Sequence, residues 1–335
     1  MAQLLKHLSE DVDDQAQALC GWRQRYEQLG CGRFRGTAWQ LVMNHGALLR
    51  ESTNRSLREQ IQPPPDHLVL AIPVTVAPGS VLAGRPLGRE SLVVISGQDE
   101  CELVAAGALD IIALSVHRDT LTQSLAASKI EWLARAERRQ HLTLAPDAAS
   151  AIRTMLLAVS DEALRRVDER VDEVDEARLI SATLTQAVVL AMSGDGAERR
   201  EDIPRRAETR MRVVRRAIEF MRENLHNDVG VMEICAAAFA SRRSLQYCFE
   251  EFLHTSPQAC LRALRLNEAR RHLKRHGDRP ITALASSLGF SSASHFTRHY
   301  KLMFGELPSQ TLRTHAHAQT QGSAPALATG AALQA

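Results

Sequence analysis

The sequence lacks the features that mark secreted, metal-binding and membrane-spanning proteins. Its six cysteines are scattered, without a CxxC pair or a matching histidine spacing, which argues against zinc and disulfide frameworks and predicts reduced thiols. No apolar run approaches the roughly 18 residues that a membrane span needs. The opening MAQLLKHLSEDVDD has no apolar region typical of a secretory signal. We therefore expect a cytoplasmic protein that does not contact a membrane.

Sequence motifs of the common enzyme classes are also missing. There is no P-loop, no GxGxxG fingerprint and no nucleophile elbow. His45, His67 and His117 stand alone, without the HxH pair, glutamate and later histidine that metal-dependent barrel enzymes use. The one HxH pair, His315 and His317, lies in the tail and is interpreted as incidental. The sequence thus predicts no catalytic residue, no metal and no certain cofactor, and we expect the chain not to be an enzyme.

What the sequence does have is an ordinary globular composition with an uneven distribution of charge. Of its residues, 44% are apolar and 24% are charged, as in ordinary globular proteins. The length of 335 residues is enough for about two domains of ~150 residues each. Residues 205–315 carry 19 Lys and Arg against 10 Asp and Glu, a formal charge of +9, whereas the remainder carries 22 against 29. A basic domain attracts polyanions because neutralised phosphates release their counterions. The carboxy-terminal third is therefore a candidate for nucleic-acid binding.

The pattern of apolar residues in the first third predicts a helix followed by a sheet. Short runs rich in β-branched residues between 37 and 116, broken by PPPD, APGS and AGRPLG, predict an antiparallel sandwich or small barrel. Before them, four apolar residues follow a helical spacing that predicts an amphipathic helix over 14–29: Leu19, Trp22, Tyr26 and Leu29.

From 119 to 193 the pattern becomes helical. DTLTQSLAAS, APDAASAIRTMLLAV and DEARLISATLTQAVVLAMSG are predicted helices, the first capped by Asp119 and the last ending at Gly194. Apolar residues of the last helix form a seam spaced like a coiled coil: Ile180, Leu184, Ala187 and Ala191. The seam is explained either by packing against the chain's own barrel or by homodimerisation, and the sequence leaves both open.

The most informative feature is an internal repeat in the carboxy-terminal third. VMEICAAAFASRRSLQYCFEEFLHTSP (231–257) aligns with ITALASSLGFSSASHFTRHYKLMFGELP (281–308), with one residue inserted in the second turn. Each copy has a short helix of small residues, a tight turn and a second amphipathic helix, which predicts two helix-turn-helix units. Gly289 suits the left-handed end of one first helix, whereas Phe239 occupies that position in the other unit. The matched positions are Leu245 with Phe296, Phe249 with Tyr300, Leu253 with Phe304, and Pro257 with Pro308.

A single helix is predicted between the two copies. Ser256 can cap its amino end, Pro257 suits the first helical position and Gly277 would stop it. Its twenty residues, at 1.5 Å each, would span about 30 Å, close to one turn of B-DNA at about 34 Å. We therefore expect this helix to set two recognition helices in successive major grooves on one face of a duplex. The alternative is an ordinary helical bundle with a solvated, Arg-rich face.

The carboxy-terminal residues resemble the AraC/XylS family of transcription regulators over about 100 residues. SRRSLQYCF and LRLNEARRHL carry part of the likeness. The resemblance implies a regulator, expected to be an activator, that binds promoter DNA and works with RNA polymerase, although repression stays open. The family's second-unit signature stands here as Gly289, Phe290, Phe296, Tyr300, Phe304, Gly305 and Pro308.

The amino-terminal residues WRQRYEQLGCGRFRG and ALLRESTNRSLREQ resemble the bacterial ethanolamine-utilisation regulators. This resemblance implies an α+β protein with a cupin-like β-barrel and flanking helices over 1–195, which would bind an effector or form a homodimer. A linker (196–206), an all-α DNA-binding domain of two helix-turn-helix units joined by a helix (207–315) and a disordered tail (316–335) would follow. The effector would occupy the apolar lumen of the barrel, and ethanolamine and cobalamin are suggested by resemblance alone.

The AraC/XylS resemblance also places the second helix of each unit in the major groove. Arg298 could bind guanine and Gln246 adenine bidentately, and these two are the leading predictions. For every such residue the alternative is a solvated surface position. With Leu245, Phe249, Phe296 and Tyr300 facing inward, the predicted base contacts are Arg242, Arg243, Gln246, Tyr247, Ser292, Ser294, His295 and Arg298. The predicted phosphate contacts are Ser241, Ser244, Ser291 and Lys301.

Two functional classes follow from these predictions. The first is an effector-responsive transcription regulator, in which effector binding favours one of two arrangements of its domains. The second is a ligand-binding or enzymatic cupin whose basic domain is a scaffold or docking module. Sequence-specific DNA binding that falls with salt favours the first class, and turnover or stoichiometric metal favours the second.

Overall fold

The computed structural model describes residues 2–98, 100–165, 173–195, 205–275 and 280–313. Its amino-terminal part contains antiparallel strands in two sheets. The strands are β1 Gln3–Ser9, β2 Arg23–Gln28, β3 Gly36–Met43, β4 Gly46–Thr53, β5 Leu57–Gln62, β6 His67–Val76, β7 Val81–Leu82, β8 Arg85–Pro86, β9 Ser91–Ser96, β10 Cys101–Ala105, β11 Leu109–His117 and β12 His141–Thr143. One sheet has the order β1-β3-β4-β11-β6-β9-β12, and the other has the order β2-β5-β10-β7-β8.

The predicted helix over 14–29 is wrong. The structure has a four-residue helix, α1 (Val12–Gln15), and then strand β2, in which Tyr26 lies opposite Glu59 of β5. The helical spacing of apolar residues is coincidental, because Leu19 packs between the two sheets and Tyr26 belongs to a separate cluster. Pairing with β5 overrides the local periodicity, as tertiary context commonly does in strands. The sheets also begin before residue 37 and include β12 after residue 116.

Side-chain alternation along the strands divides the buried residues into layers. Leu103 of β10 packs between the two sheets, together with Leu49 of β4. Its neighbour Val104 points to the other face of the five-stranded sheet and joins the core of the carboxy-terminal helices. On the seven-stranded sheet, Leu48 faces away from the five-stranded sheet and packs against helices. The five-stranded sheet therefore lies between the space enclosed by the two sheets and the carboxy-terminal domain.

The helical region after the strands is present, with its cap at a different residue. His117, not Asp119, is the N-cap of the first helix, and its ring accepts a hydrogen bond from the Asp119 N–H at 3.3 Å. All four seam residues of the last helix are fully buried against their own chain, so the seam packs within the protein. The helices are α2 Arg118–Ser124, α3 Ala127–Arg139, α4 Pro146–Arg165 and α5 Glu173–Gly194.

Helix α5 also corrects the expectation that no segment is long and apolar enough to span a membrane. Within the described residues, Asp175–Gly194 meets that criterion by length and by a mean hydropathy of 1.2. The prediction was wrong because it looked for one continuous apolar run, whereas here Ser, Thr and Gln interrupt the apolar residues without adding charge. The helix packs against α2, α3 and α4, as a core helix of a folded domain does.

The carboxy-terminal domain has the predicted repeat. Helices α7 (Val231–Ala238) and α8 (Arg242–Leu253) form the first helix-turn-helix unit, α10 (Ile281–Ser287) and α11 (Ala293–Phe304) form the second, and α9 (Pro257–Arg275) lies between them. Both units and α9 share one hydrophobic core. Residues 196–204 and 314–335, which include most of the predicted linker and the whole predicted tail, lie outside the described residues. The helices are α6 Arg205–Glu223, α7 Val231–Ala238, α8 Arg242–Leu253, α9 Pro257–Arg275, α10 Ile281–Ser287 and α11 Ala293–Phe304.

Candidate nucleic-acid interface

Helix α8 is the second helix of the first unit, and its ends are fixed by local hydrogen bonds. Ser241 is the N-cap, and its Oγ accepts a hydrogen bond from the Ser244 N–H at 3.1 Å. Leu245 and Phe249, one turn apart, are fully buried in the domain core, as predicted. Between them, Tyr247 is exposed and Gln246 is half-buried, whereas Cys248 is buried with the apolar face. Arg242 is exposed at the amino end of the helix.

Helix α11 repeats this construction in the second unit. The Ser292 Oγ accepts a hydrogen bond from the His295 N–H at 3.1 Å. Phe296 and Tyr300 are fully buried, as predicted. The helix ends at Gly305, whose positive φ of 73° allows its N–H to donate to the Lys301 carbonyl at 2.8 Å. The two second helices therefore present equivalent faces to the surface.

The turns of the two units differ at one backbone position. Gly289 has a φ of +69°, and Phe239 has a φ of +52°, so both lie in the left-handed region. A side chain is disfavoured there, because Cβ approaches the backbone. The Phe239 side chain is also 81% exposed, with the Arg216 guanidinium 5.2 Å from its ring centre. The first unit thus keeps an exposed aromatic residue in a strained turn.

Most of the predicted contact residues lie in the amino-terminal halves of α8 and α11 or just before them, whereas Lys301 lies in the last turn of α11. Gln246 and His295 are half-buried, and the remaining residues of both sets are exposed. The exposed base-contact residues are Arg242, Arg243, Tyr247, Ser292, Ser294 and Arg298, and the exposed phosphate-contact residues are Ser241, Ser244, Ser291 and Lys301.

Some of these side chains already bond within the protein. The Gln246 Nε2 donates to Glu250 at 2.6 Å, so its amide must exchange this partner to contact a base. The Nε2 atoms of His295 and His299 are 2.9 Å apart, which requires at least one ring to be neutral. Burial, together with the neighbouring Arg262 and other cations, lowers the pKa of His299 and favours its neutral form.

Helix α6 adds cationic residues beside the first unit. The Arg210 guanidinium lies 5.7 Å from the centre of the Tyr247 ring and forms a two-pronged ion pair with Glu251 at 2.7 and 2.8 Å. With Arg216 beside Phe239, α6 therefore borders the exposed face of α8. Sequence reasoning assigned no role to Arg210 or Arg216, and the Arg-rich stretch RRAETRMRVVRR was the available signal.

The amino-terminal domain contacts the carboxyl end of each second helix. At the end of α8, the His254 Nε2 lies 2.9 Å from the Gly79 carbonyl. At the end of α11, the Gly32 N–H donates to the Leu302 and Met303 carbonyls at 3.0 Å, and the Gln28 Nε2 donates to Met303 at 2.7 Å. These contacts leave the exposed amino ends of both helices uncovered.

The same domain binds α9 through charged residues. Arg270 and Lys274 pair with Asp11, at 2.5 and 3.1 Å, and the Arg271 Nε donates to Asp13 at 2.9 Å. Burial opposes ionisation of Asp11, but the two cations outweigh it and hold the pKa of that carboxyl below its usual range. These cations contribute to the basic charge that the sequence assigned to nucleic acid, but they are neutralised inside the protein.

A second ionic cluster joins the five-stranded sheet to α6. Buried Arg58 lies 2.5 Å from Glu102 and 3.6 Å from Glu27. Arg222 of α6 pairs with Glu27 at 2.8 Å, and Arg215 pairs with Glu102 at 2.7 Å. Burial opposes ionisation of Glu27, but Arg222 and Arg58 lower its pKa. Each buried charge has an opposite charge beside it, which a buried ion pair requires for stability.

The amino-terminal histidines are less isolated than the sequence indicated. His67 and His117 lie opposite each other on β6 and β11, with ring centres 5.6 Å apart. In the part of the chain that the structure describes, no group of three or more His, Cys, Asp or Glu residues is arranged to hold a metal ion.

All six cysteines are free thiols, and two of them, Cys20 and Cys31, are exposed.

Comparisons with known proteins match this carboxy-terminal domain. Residues 234–314 match a family model described as a helix-turn-helix domain. The chain is 35% identical over 100 residues to the XylDLEGF operon transcriptional activator of Pseudomonas putida, covering 29% of this chain and 31% of the relative. It is 35% identical over 91 residues to the HTH-type transcriptional regulator GbdR of Pseudomonas aeruginosa, covering 27% and 24%. The chain thus spans about a third or less of the length of these relatives.

A solved structure is also similar to this part of the chain. It is a transcriptional regulator of the AraC-type DNA-binding class from Chromobacterium violaceum, 28% identical, covering 33% of this chain and 96% of that one, with a TM-score of 0.31. From the sequence matches, the carboxy-terminal third is a helix-turn-helix domain of the AraC/XylS type, as predicted. The named relatives are transcription regulators.

Proposed function

We propose that this chain is an effector-responsive transcription regulator, and an activator, that binds promoter DNA through two helix-turn-helix units. The observation that carries the proposal is the equivalent placement of α8 and α11 on one shared core. Each has its apolar face buried and its amino end exposed. Helix α9 has 19 residues and is therefore about 28 Å long, which is close to one turn of B-DNA. The two helices would occupy successive major grooves.

The proposal includes the residues that would contact the DNA bases. Arg298 would bind guanine, and Gln246, once released by Glu250, would bind adenine. The other predicted base contacts would surround these two. Ser244 and Lys301 are among the residues that would bind phosphates and fix the register on the duplex. Arg210 and Arg216 of α6 lie close enough to the exposed face of α8 to join them.

The amino-terminal domain would act as a cupin-like effector domain. Its two facing sheets enclose a shared core, which supports this part of the proposal. Its contacts with α6, α9 and the ends of α8 and α11 provide a physical connection between the effector site and the DNA-binding units. An effector that binds one arrangement of these contacts more tightly than another would shift the protein toward that arrangement.

Further assignments follow from the resemblances and remain part of the proposal. The chain would be cytoplasmic, recruit RNA polymerase and belong to the ethanolamine-utilisation type of regulator. A homodimer would need a surface other than the seam of α5, because that seam is buried against its own chain. A reporter gene behind a bound promoter would separate activation from repression, since expression rises in one case and falls in the other.

DNA binding itself is tested by fluorescence anisotropy of a labelled duplex with the full chain. Because bound phosphates release counterions, the logarithm of affinity should fall linearly with the logarithm of salt concentration. The Lys301→Ala variant should reduce that slope by about one phosphate contact, whereas Arg138→Ala, at an exposed position on α3, should leave it unchanged. Affinity that does not depend on salt, or that is absent at low salt, would contradict the proposal.

A further inference from the structure

Helix α11 carries two histidines, one turn apart, whose rings are in contact. The Nε2 atoms of His295 and His299 are 2.9 Å apart, the ring centres are 4.4 Å apart and the ring planes meet at 78°. A hydrogen bond between two imidazole nitrogens needs one N–H and one lone pair. The pair therefore holds one proton between its facing nitrogens, and two imidazolium rings would have to separate.

The surroundings of the pair oppose a positive charge. Burial is the largest cause that lowers the pKa of His299. Arg262 of α9 adds to this effect, as do His295 and Arg298 on α11 itself. The Nδ1 of His295 is buried and has no hydrogen-bond partner among the described residues. The charged groups that act on His299 are thus cations or groups that become cations, and the free protein favours its neutral form.

A DNA phosphate would supply the negative charge that the pair lacks. The same part of α11 presents Arg298 and Lys301 as exposed cations, at the surface where the proposed function places the duplex. An anion beside an imidazole favours its charged form and raises its pKa. Bound DNA would therefore act on His299 in the opposite direction to the protein's own residues.

The first unit has no equivalent of this pair. Because Leu245 aligns with Phe296, the residues that align with the two histidines are Ser244 and Cys248. A serine hydroxyl does not titrate near neutral pH, and burial raises the pKa of the Cys248 thiol. Any coupling of protons to DNA binding at these positions is therefore confined to the second unit.

We propose that His299 is a further DNA-binding residue, and that its pair with His295 takes up one proton from solvent when α11 binds DNA. Because the Nδ1 of His295 is buried, the proton would add to the Nδ1 of His299 and leave the hydrogen bond between the rings intact. The resulting imidazolium would face the phosphate backbone. Affinity for DNA then rises as pH falls, since binding and protonation favour each other equally. This role of His299 rests on the proposed function, because it requires a duplex against α11.

The test measures the affinity of the full chain for a labelled duplex between pH 6 and 8 at constant ionic strength. Uptake of a single proton limits the change to about tenfold per pH unit, and we expect a rise of roughly threefold or more from pH 8 to pH 6. Calorimetry in buffers of different ionisation enthalpy should give a measurable uptake of at most about one proton per bound chain.

Two substitutions separate a residue that takes up a proton from one with a structural role. His299→Gln, which cannot become charged, should remove most of the pH dependence. His299→Lys, which is charged throughout this range, should also remove it, but should bind more tightly than His299→Gln at pH 8. His45→Gln, at a half-buried histidine of the amino-terminal domain, is the matched control and should keep the pH dependence of the wild type. Glu51, whose pKa burial raises to about 6, is present in all of these proteins and does not contribute to their differences.

Affinity that does not change with pH, or that changes equally in wild type and His299→Gln, would overturn this role of the histidine pair. If duplex binding persists in either case, the regulatory function stands and only the role of the pair is wrong. A chain that binds no duplex at any pH would instead contradict the proposed function, and the DNA-binding role of His299 with it.

Discussion

Tyr26 and Arg271 are joined across the boundary between the two domains. The Tyr26 carbonyl, on the edge strand β2, accepts a hydrogen bond from the Arg271 Nη2 at 2.9 Å, while the Tyr26 hydroxyl lies 2.9 Å from Glu51 of β4. One strand therefore separates the space between the sheets from the helix that connects the two DNA-binding units. A change on one side of this strand has a short path to the other side.

The energy of this boundary is testable in a double-mutant cycle of Arg271→Ala and Asp13→Ala. The two side chains form a largely buried ion pair at 2.9 Å, so their effects on the free energy of unfolding should not be additive. We expect a coupling energy of about 1–3 kcal/mol from denaturant unfolding of the full chain. Arg165 and Glu162, an exposed pair on α4, provide the matched control with a coupling below about 1 kcal/mol. Additive effects at Arg271 and Asp13 would mean that this contact does not join the domains.

Glu51 should make stability depend on pH. Burial raises the pKa of its carboxyl to about 6, above the usual 4.5, and Tyr26 and Glu59 face it without supplying a positive charge. The folded state therefore prefers the protonated form, and this stabilisation is complete below pH 4.5 and is lost as pH rises through about 6. The loss is about 2 kcal/mol relative to Glu51→Gln, at 1.36 kcal/mol per pKa unit. Urea unfolding of both proteins between pH 4 and 7.5 measures the difference, and parallel curves would contradict the assignment.

Phe296 should be essential for folding of the second unit. It is fully buried and stacks edge-on against Phe290 with ring centres 5.1 Å apart. Phe296→Ala should lower the free energy of unfolding by about 3–5 kcal/mol, since it leaves a cavity in the shared core. Leu302→Ala, on the same helix but at a side chain that is 59% exposed, should cost much less. Equal losses in the two variants would contradict the assignment of the inward face of α11.

The strained turn of the first unit offers a stabilising substitution. Phe239 has a φ of +52° and an exposed side chain, so Phe239→Gly should raise the free energy of unfolding by about 1 kcal/mol. Ala240→Gly, at the next position and without a positive φ, should lower it. Chemical denaturation of the two variants shows directly whether each substitution raises or lowers the free energy of unfolding. Destabilisation by Phe239→Gly would show that the Phe239 ring, packed beside Arg216, contributes more than the backbone strain removes.

The sequence predicted the carboxy-terminal domain well because its signals are local. Caps, small residues and a repeated apolar spacing placed Ser256, Leu245 and Phe296 correctly. The helix over 14–29 failed because the strand containing Tyr26 exists only through its partner β5, which is distant in the sequence. Pairing of acidic α1 with basic α9 could not be predicted for the same reason. The count of basic residues therefore overestimated the charge that is free to meet DNA.

The proposed base contacts at Gln246 and Arg298 remain predictions, since exposure alone does not distinguish a reading residue from a solvated one. Gln246 lies on α8 and Arg298 on α11, so each would read a different half of the binding site. Loss of either side chain should relax recognition at its own half of the binding site, by about 1–3 kcal/mol per base pair. The other half of the site should keep its sequence preference.

Selection of binding sites from a random duplex pool tests the central claim most directly. For the full chain we expect enriched sequences with two conserved blocks centred about 10 base pairs apart, one for each recognition helix. Gln246→Ala should erase preference in one block and Arg298→Ala in the other. A pool that shows no enrichment, or two blocks that neither substitution changes, would contradict the account.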